Sequence, residues 1–285
     1  TGADNEEPSP DPEPEPEPQP AANHNYSLVP GGSFEAWKAT CGESWQVAKN
    51  EMRQRPGTEP EEWNGSSLNV KGGVVGNGTI KAELIQPTTG ADNTGIGIKL
   101  TNKYTTNLAF SSSDNYSPAF ITYGTPWNYL NYFYSSRRDG GVYGGRAYTK
   151  RPDAIRGMFR RTSPGGSENS HIIAYLWKGT FVSKIGASDT PEADQDDVDR
   201  AVLGRISPTG GNGQLIASCD YEFASTQNDD WEAILVPLNY SENLELIPEK
   251  LNIIISCGDY WNPRNTKDGN TLEADSIEFL FYSEL

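Results

Sequence analysis

The sequence predicts an all-β chain, a jelly-roll β-sandwich, on three observations. Short apolar runs alternate at period two, Gly, Pro and Asn turns separate them, and no stretch sustains the 3.6-residue period of a helix. The 285 residues suit one large β domain, since sandwiches of roughly 200 to 250 residues fold as single units. Aromatics are plentiful, with 7 Trp, 14 Tyr and 9 Phe, and supply a core despite an apolar content of only 35%.

Residues 1–25 read as an acidic Pro/Glu-rich spacer. The first twenty hold seven acids, seven prolines and no basic side chain. Alternate prolines impose polyproline II geometry at roughly 3.1 Å per residue, and like charges extend it, so the segment is a disordered, semi-rigid tether that buries nothing. The sandwich is expected over 26–285. Its first strand is placed at 31–37 (GGSFEAW), followed by a short irregular or helical turn at 45–51 and by a turn and strand at 63–75. Strands at 81–86 and 95–101 flank the loop PTTGADNTG. In GRAYTKRPDAIRGMFRR (145–161), Pro152 cannot donate to a ladder and marks a strand start or a bulge. Ile155, Gly157 and Phe159 then take one face, while Arg156 and Arg160 line the other or pair with acids. Further strands are expected at 171–177, 213–223, 231–238, 251–257 and 272–282.

The last strand organises the chain. In DGNTLEADSIEFLFY a Gly-Asn turn opens an alternation that puts Glu273 and Asp275 on one face with Ile277, Phe279 and Phe281. Buried carboxylates need a cation, a basic side chain or backbone donors. Glu35, in the opening GGSFEAW, would meet Asp275 if first and last strands pair. Calcium takes about six to eight oxygens, which these acids and nearby carbonyls can supply. A structural Ca²⁺ at Glu35 and Asp275 is therefore one expectation, and an exposed Glu35 with an Asp275 bonded to the GNT turn is the other. The run DTPEADQDDVD (189–199) lacks the glycine and closing glutamate of an EF-hand loop and reads as a solvated loop.

A net charge of −16 argues against nucleic acid and anionic membrane surfaces as partners. No apolar run reaches the roughly 18 residues of a membrane helix. The three cysteines lack metal-ligand spacing, although Cys219 and Cys257 each end an apolar run and would form a disulfide if their strands were neighbours. Two histidines, His24 and His171, leave little for a His-based triad or a zinc site.

Saccharide recognition uses flat rings against the apolar faces of pyranosides, with a few polar groups fixing hydroxyls. Trp127, Tyr129 and Tyr132 follow Thr125-Pro126. Tyr260 and Trp261 lie in CGDYWNPRNTKDGN with Asn262, Arg264 and Asp268. The expected ligand-binding residues are Trp127, Tyr129, Tyr260, Trp261, Arg264 and Asp268, with Trp63, Trp177 and Trp231 left to the core. A glycosidase would need two carboxylates about 5 to 9.5 Å apart. Asp220 and Glu222 share a strand face, and Asp229, Asp230 and Glu232 cluster nearby. The same pattern describes the wet side of an amphipathic strand, so no catalytic residue is assigned. An adhesin would need a bare, uncharged strand edge.

Four segments, GGSFEAW, GRAYTKRPDAIRGMFRR, DDWEAILVPLNY and GNTLEADSIEFLFY, resemble in order and spacing the Putative Carbohydrate Metabolism Domain (PCMD) family of Bacteroidetes surface lipoproteins. The resemblance spans 31–285. It implies a galactose-binding-like jelly roll and an exported outer-membrane or cell-surface lipoprotein that handles poly- or oligosaccharides. The acidic spacer would then be the tether. The lipidated cysteine of such proteins is not in this chain, so the anchor would belong to a processed segment, and Cys257 stands where a small polar residue is expected. The function expected is that of a non-catalytic carbohydrate-binding module in glycan capture. The alternatives are a glycoside hydrolase with paired carboxylates and a cell-surface adhesin or assembly subunit.

Overall fold

A computed structural model describes residues 24–71, 79–105, 115–130, 138–187, 190–223, 228–242 and 245–282. Nearly all of the acidic spacer, and Tyr132, lie outside them. The alternating segments form two antiparallel sheets laid face to face, the sandwich that the sequence predicts. The first sheet runs Asn228–Pro237, Ala154–Thr162, Thr271–Tyr282, Ile96–Thr101, Ile85–Thr89, and His24–Leu28 also pairs with the final strand. The second runs Asn239–Tyr240, Gln214–Glu222, His171–Lys178, Lys250–Ser256, Phe120–Thr122, Asn64–Gly65, with Arg146–Ala147 beside Lys250–Ser256. Ile98, Phe159 and Phe279 from the first sheet meet Ile172, Leu176 and Ile253 from the second in a common core.

The central strands of the second sheet, His171–Lys178 and Lys250–Ser256, are buried on both faces. Ile173, Tyr175, Trp177 and Ile254 point away from the common core into another apolar cluster with Phe120, Val142 and Tyr260. A strand covered on both sides reads as an unbroken apolar run, which accounts for 171–177. The cover is a third layer that the sequence did not announce. It comprises a four-stranded sheet in the order Arg138–Tyr143, Thr125–Leu130, Glu43–Gln46, Glu51–Gln54, together with the hairpin Phe181–Ala187 and Thr190–Asp196 and the short helix Asp199–Val202.

Several expectations need correction. Residues 31–37 are not a strand. They form a turn with Phe34 at φ 55° and a single bridge from Trp37 to Pro60, and the first strand is His24–Leu28, which begins inside the predicted spacer. First and last strands do pair, with His24 opposite Tyr282. The final strand carries a bulge that period-two reading cannot see. Arg156 faces Glu278 and Met158 faces Asp275, so the final strand spends one extra residue there, at Ser276 with φ 52°. One inserted residue exchanges the faces. Leu272 and Ala274 therefore share the core with Ile277 and Phe279, and Glu273 and Asp275 go to the opposite side.

Residues 45–51 belong to a hairpin made by Glu43–Gln46 and Glu51–Gln54 with a 3₁₀ turn between. Much of the run 189–199 is strand rather than solvated loop, and its Asp197 and Asp199 are buried. Trp63 and Trp177 are core residues, but Trp231 lies on the outer side of the first sheet beneath Arg160, 5.0 Å away. Cys219 and Cys257 are free thiols. Their strands flank His171–Lys178 on opposite sides, roughly 9.5 Å apart at two strand spacings, beyond disulfide reach.

Under the third layer, Arg55 and Glu59 form a fully buried ion pair at 2.6 Å. Glu59 also accepts the amides of Gly42 and Gly65 and the ammonium of Lys38, so one carboxylate ties Arg55 and the 38–42 segment to the second-sheet strand Asn64–Gly65. Burial would raise its pKa, but the Arg55 charge and these donors outweigh burial and hold the carboxyl below the ordinary glutamate value. Its stabilising contribution is therefore present above that ordinary value, about 4.3, and disappears as pH falls through the lower folded value. Glu59→Gln should cost about 3–5 kcal/mol in urea unfolding at pH 7, and the difference from wild type should shrink in acid. Thiol titration of the unreduced, unfolded protein should count all three cysteines. In the folded protein they should react slowly, since burial pushes Cys219 up to about 12.

Candidate binding pocket

Where the third layer leaves the second sheet, a cavity of about 330 Å³ opens. Trp127, Tyr129, Tyr260, Trp261 and Arg264 all line it, so five of the six expected ligand residues come together from two distant stretches of chain. Asp268 does not join them; its carboxylate accepts the Tyr104 amide at 2.8 Å.

The rings play different parts. Trp127 and Tyr129, two apart on one strand, share a face and pack against Val47, Ile185 and Val198 with 4% and 3% of their surface exposed. They are wall rather than free stacking platforms. Tyr260 is also buried and meets Phe120 and Trp261 edge-on, at 5.3 and 4.8 Å. Trp261 remains half-buried. Its Nε1 donates to Asp220 Oδ2 at 2.7 Å, and the Arg205 guanidinium sits 3.7 Å from its ring centroid. Its orientation is thus set by a hydrogen bond and a cation–π contact. Arg264 is exposed on the 3₁₀ turn Pro263–Asn265, and among the described residues it has no ion-pair partner.

The polar wall was not legible in advance. Arg200 holds Asp139 through two hydrogen bonds of 3.1 and 2.9 Å and also donates to the Gly140 carbonyl. Behind this pair, fully buried Asp199 accepts the Tyr260 hydroxyl at 2.5 Å and the Arg200 amide at 2.7 Å. Burial pushes the Asp199 carboxyl up. Burial would lower Arg200, but Asp199 and Asp139 outweigh it and keep the guanidinium charged. Gly141 faces Trp127 across the ladder. A Cβ there would come within 3.1 Å of Trp127 Nε1 and 3.2 Å of Asp199, so a larger residue would crowd this corner unless those side chains shifted by a few tenths of an ångström. Trp127 Nε1 and Asn128 Oδ1 are buried without hydrogen-bond partners. The available signal was the glycine pair in DGGVYGG, a place where backbone must approach a bulky neighbour.

The other expected acids find local partners. Glu35 accepts the Ile96 amide at 2.9 Å and Asp275 the Ala91 amide at 2.8 Å, so both grip the loop between Ile85–Thr89 and Ile96–Thr101. Glu273 takes Arg160 at 2.6 Å and the Thr88 hydroxyl at 2.9 Å. Among the described residues, no three His, Cys, Asp or Glu side chains gather as a metal site. Asp220 and Glu222 share a face but not a task. Asp220 binds His171 and Trp261, and Glu222 accepts from Asn169.

No family model and no curated protein matches the chain. Among solved structures it is similar to a protein of Bacteroides thetaiotaomicron VPI-5482 described as a putative glycoside hydrolase, with 13% identity, TM-score 0.44, and 72% of this chain against 59% of the other. The chain thus spans under two thirds of that protein. A second protein so described, from Bacteroides vulgatus ATCC 8482, gives 13% identity and TM-score 0.48 over 89% and 94% of the two chains. A protein of Bacteroides thetaiotaomicron VPI-5482 described as a putative sugar binding protein gives 9% identity and TM-score 0.34 over 90% and 100%. At such similarity the chemistry of the pocket rests on this chain's own residues.

Tyr260→Phe removes the hydroxyl donor from buried Asp199. It should cost about 1–3 kcal/mol in denaturant unfolding, with the fold otherwise retained by circular dichroism.

Proposed function

We propose that this pocket captures a saccharide without cleaving it. The observation that carries the reading is the meeting, in one cavity of about 330 Å³, of half-exposed Trp261 with Arg264, Asn262 and Asn265 beside the Arg200–Asp139 pair. That volume lies at the small-ligand end of binding sites and suits a chain end or a short segment rather than a long polysaccharide face. Trp261 supplies the apolar surface for a pyranose, and the Asn262, Asn265 and Arg264 side chains address its hydroxyls. Unpaired Asn128 Oδ1 offers one further acceptor.

Cleavage is disfavoured by the state of the acids. Asp139 is already closed by Arg200, and Asp199 lies fully buried behind it, whereas a glycosidase needs two carboxylates flanking one bond. The raised Asp199 carboxyl is the feature that a hydrolase reading would use. Membership of the PCMD family and export to the cell surface on a lipid anchor belong to the same proposal, on the sequence features given above, and a Ca²⁺ at Glu35 and Asp275 belongs to it on the grip of both carboxylates on one loop, at the Ile96 and Ala91 amides.

A glycan-array screen followed by calorimetry tests the reading. Trp261→Ala should abolish binding to any hit, and Arg264→Gln should weaken it by about tenfold, or roughly 1.4 kcal/mol. A folded protein that binds no glycan would sink the proposal. Release of reducing sugar from a hit, lost in Asp199→Asn, would establish the hydrolase instead. For calcium, the expected result is a rise in melting temperature when Ca²⁺ is returned to EDTA-treated protein, absent in Asp275→Asn.

A further inference from the structure

His171 opens the central strand of the doubly covered sheet and is 1% exposed, yet it plays no part in the pocket described so far. Its Nδ1 lies 2.9 Å from Asp220 Oδ1. Burial alone would raise Asp220, but its bonds from His171 and Trp261 outweigh burial and hold the carboxyl below the ordinary aspartate value. An ionised carboxylate only accepts, so Nδ1 must be the donor. In the neutral ring this leaves Nε2 as a bare lone pair. That nitrogen is buried with no hydrogen-bond partner, and 3.4 Å away stands a second carboxylate, Asp259 Oδ1. A lone pair aimed at a carboxylate is unfavourable, and a proton placed between them converts the contact into a charge-assisted one.

The two carboxylates hold opposite parts of the pocket wall. Asp220, on Gln214–Glu222, receives the indole N–H of Trp261 at 2.7 Å. Asp259 receives the Asn262 amide at 3.3 Å and the Asn265 side-chain amide at 3.0 Å. Trp261, Asn262 and Asn265 all line the cavity. The other charged groups around the ring are Arg205, which reaches Asp220 at 3.5 Å, and Glu222, which stands opposite His171 in the ladder and accepts from Asn169. Neither contacts Nε2.

We propose that His171 is a positioning residue for the pocket: taking up a proton at Nε2, it clamps Asp259 and Asp220 together and sets the 259–265 loop with Trp261 in its binding position. Loss of that proton leaves Asp220 and Trp261 joined but releases the Asp259 side of the loop. The inference rests on the pocket being the binding site, and it gives that site a dependence on pH: tighter on the acid side of the His171 titration, looser on the basic side.

The first test needs no ligand. The chain has only two histidines and seven tryptophans, so imidazole and indole N–H resonances can be followed by NMR across pH, with Trp261→Phe identifying the indole signal. The expected result is that the Trp261 indole resonance and the Asn265 side-chain amide move with the same midpoint as the His171 ring. In His171→Gln, which keeps one donor for Asp220, that movement should vanish. Should this variant not fold, Asp259→Asn leaves the buried ring in place and should uncouple the Asn265 amide from the imidazole titration. A Trp261 resonance that stays fixed while His171 titrates, or that moves equally in His171→Gln, overturns the inference and leaves saccharide capture standing. If the coupling appears but no glycan binds, the clamp holds and the ligand reading fails. With a glycan in hand, wild-type affinity should fall across the His171 titration, and the His171→Gln affinity should be flat.

Discussion

The central strands of the second sheet, His171–Lys178 and Lys250–Ser256, are covered on both faces and have no wet side, and much of this structure follows from that. A polar group buried in these strands calls for a partner within the protein, since an unpaired one costs on the order of 1–3 kcal/mol, and among the described residues Trp177 Nε1 and His171 Nε2 go without a hydrogen-bond partner. Asn252, fully buried, shows how this is met: its oxygen accepts from Thr122 and Tyr123 and its amide donates to the Tyr175 hydroxyl. Lys250 reaches out of the same sheet to Asp197 at 2.6 Å and pins the hairpin of the third layer. The pocket lies at a boundary of that cover, where Tyr260 still packs against Phe120 and Trp261 is already half in solvent.

The same constraint governs the acids of a chain carrying net charge −16. Acids drawn into the structure are each met by a specific donor: Glu59 by Arg55, Glu273 by Arg160, Asp139 by Arg200, and Asp275 by a backbone amide. For Glu59 and Glu273, the charged donors and their other hydrogen bonds outweigh burial and hold the carboxyl below the ordinary glutamate value. Glu168 marks the other case. Its donors are the amides of Asn102 and Asn270, they do not overcome burial, and its carboxyl is pushed up. It lies under the turn that leads into the final strand, where it anchors Asn270.

The sequence made the strands legible because their alternation is local, and it made the loop 257–270 legible because two adjacent rings among Asn, Arg and Asp are unusual outside a core. What it hid was non-local. The face carrying Glu273 and Asp275 turned on one extra residue at Ser276, and alternation read across a bulge assigns everything beyond it to the wrong side. Trp127 and Tyr129 were recognisable as candidate ligand-binding rings, but their burial as wall depends on Ile185 and Val198, which are far along the chain. Arg200 and Asp139 became partners only through packing of the short helix on the Arg138–Tyr143 strand, and no spacing records that.

The pocket wall is held at three points by three carboxylates on separate elements. Asp199, at the start of the short helix, takes the Tyr260 hydroxyl; Asp220, on a strand of the second sheet, takes the Trp261 indole; and Asp259, in the loop itself, takes Asn262 and Asn265. A loop carrying two large rings would otherwise lose conformational freedom on capturing a ligand, and that loss would be drawn from affinity. Here much of that ordering is already made within the fold by these contacts. Because Asp199 is buried beyond the reach of solvent and Asp220 is shared between Trp261 and His171, the Asp259 contact is the one of the three that depends on a single movable proton.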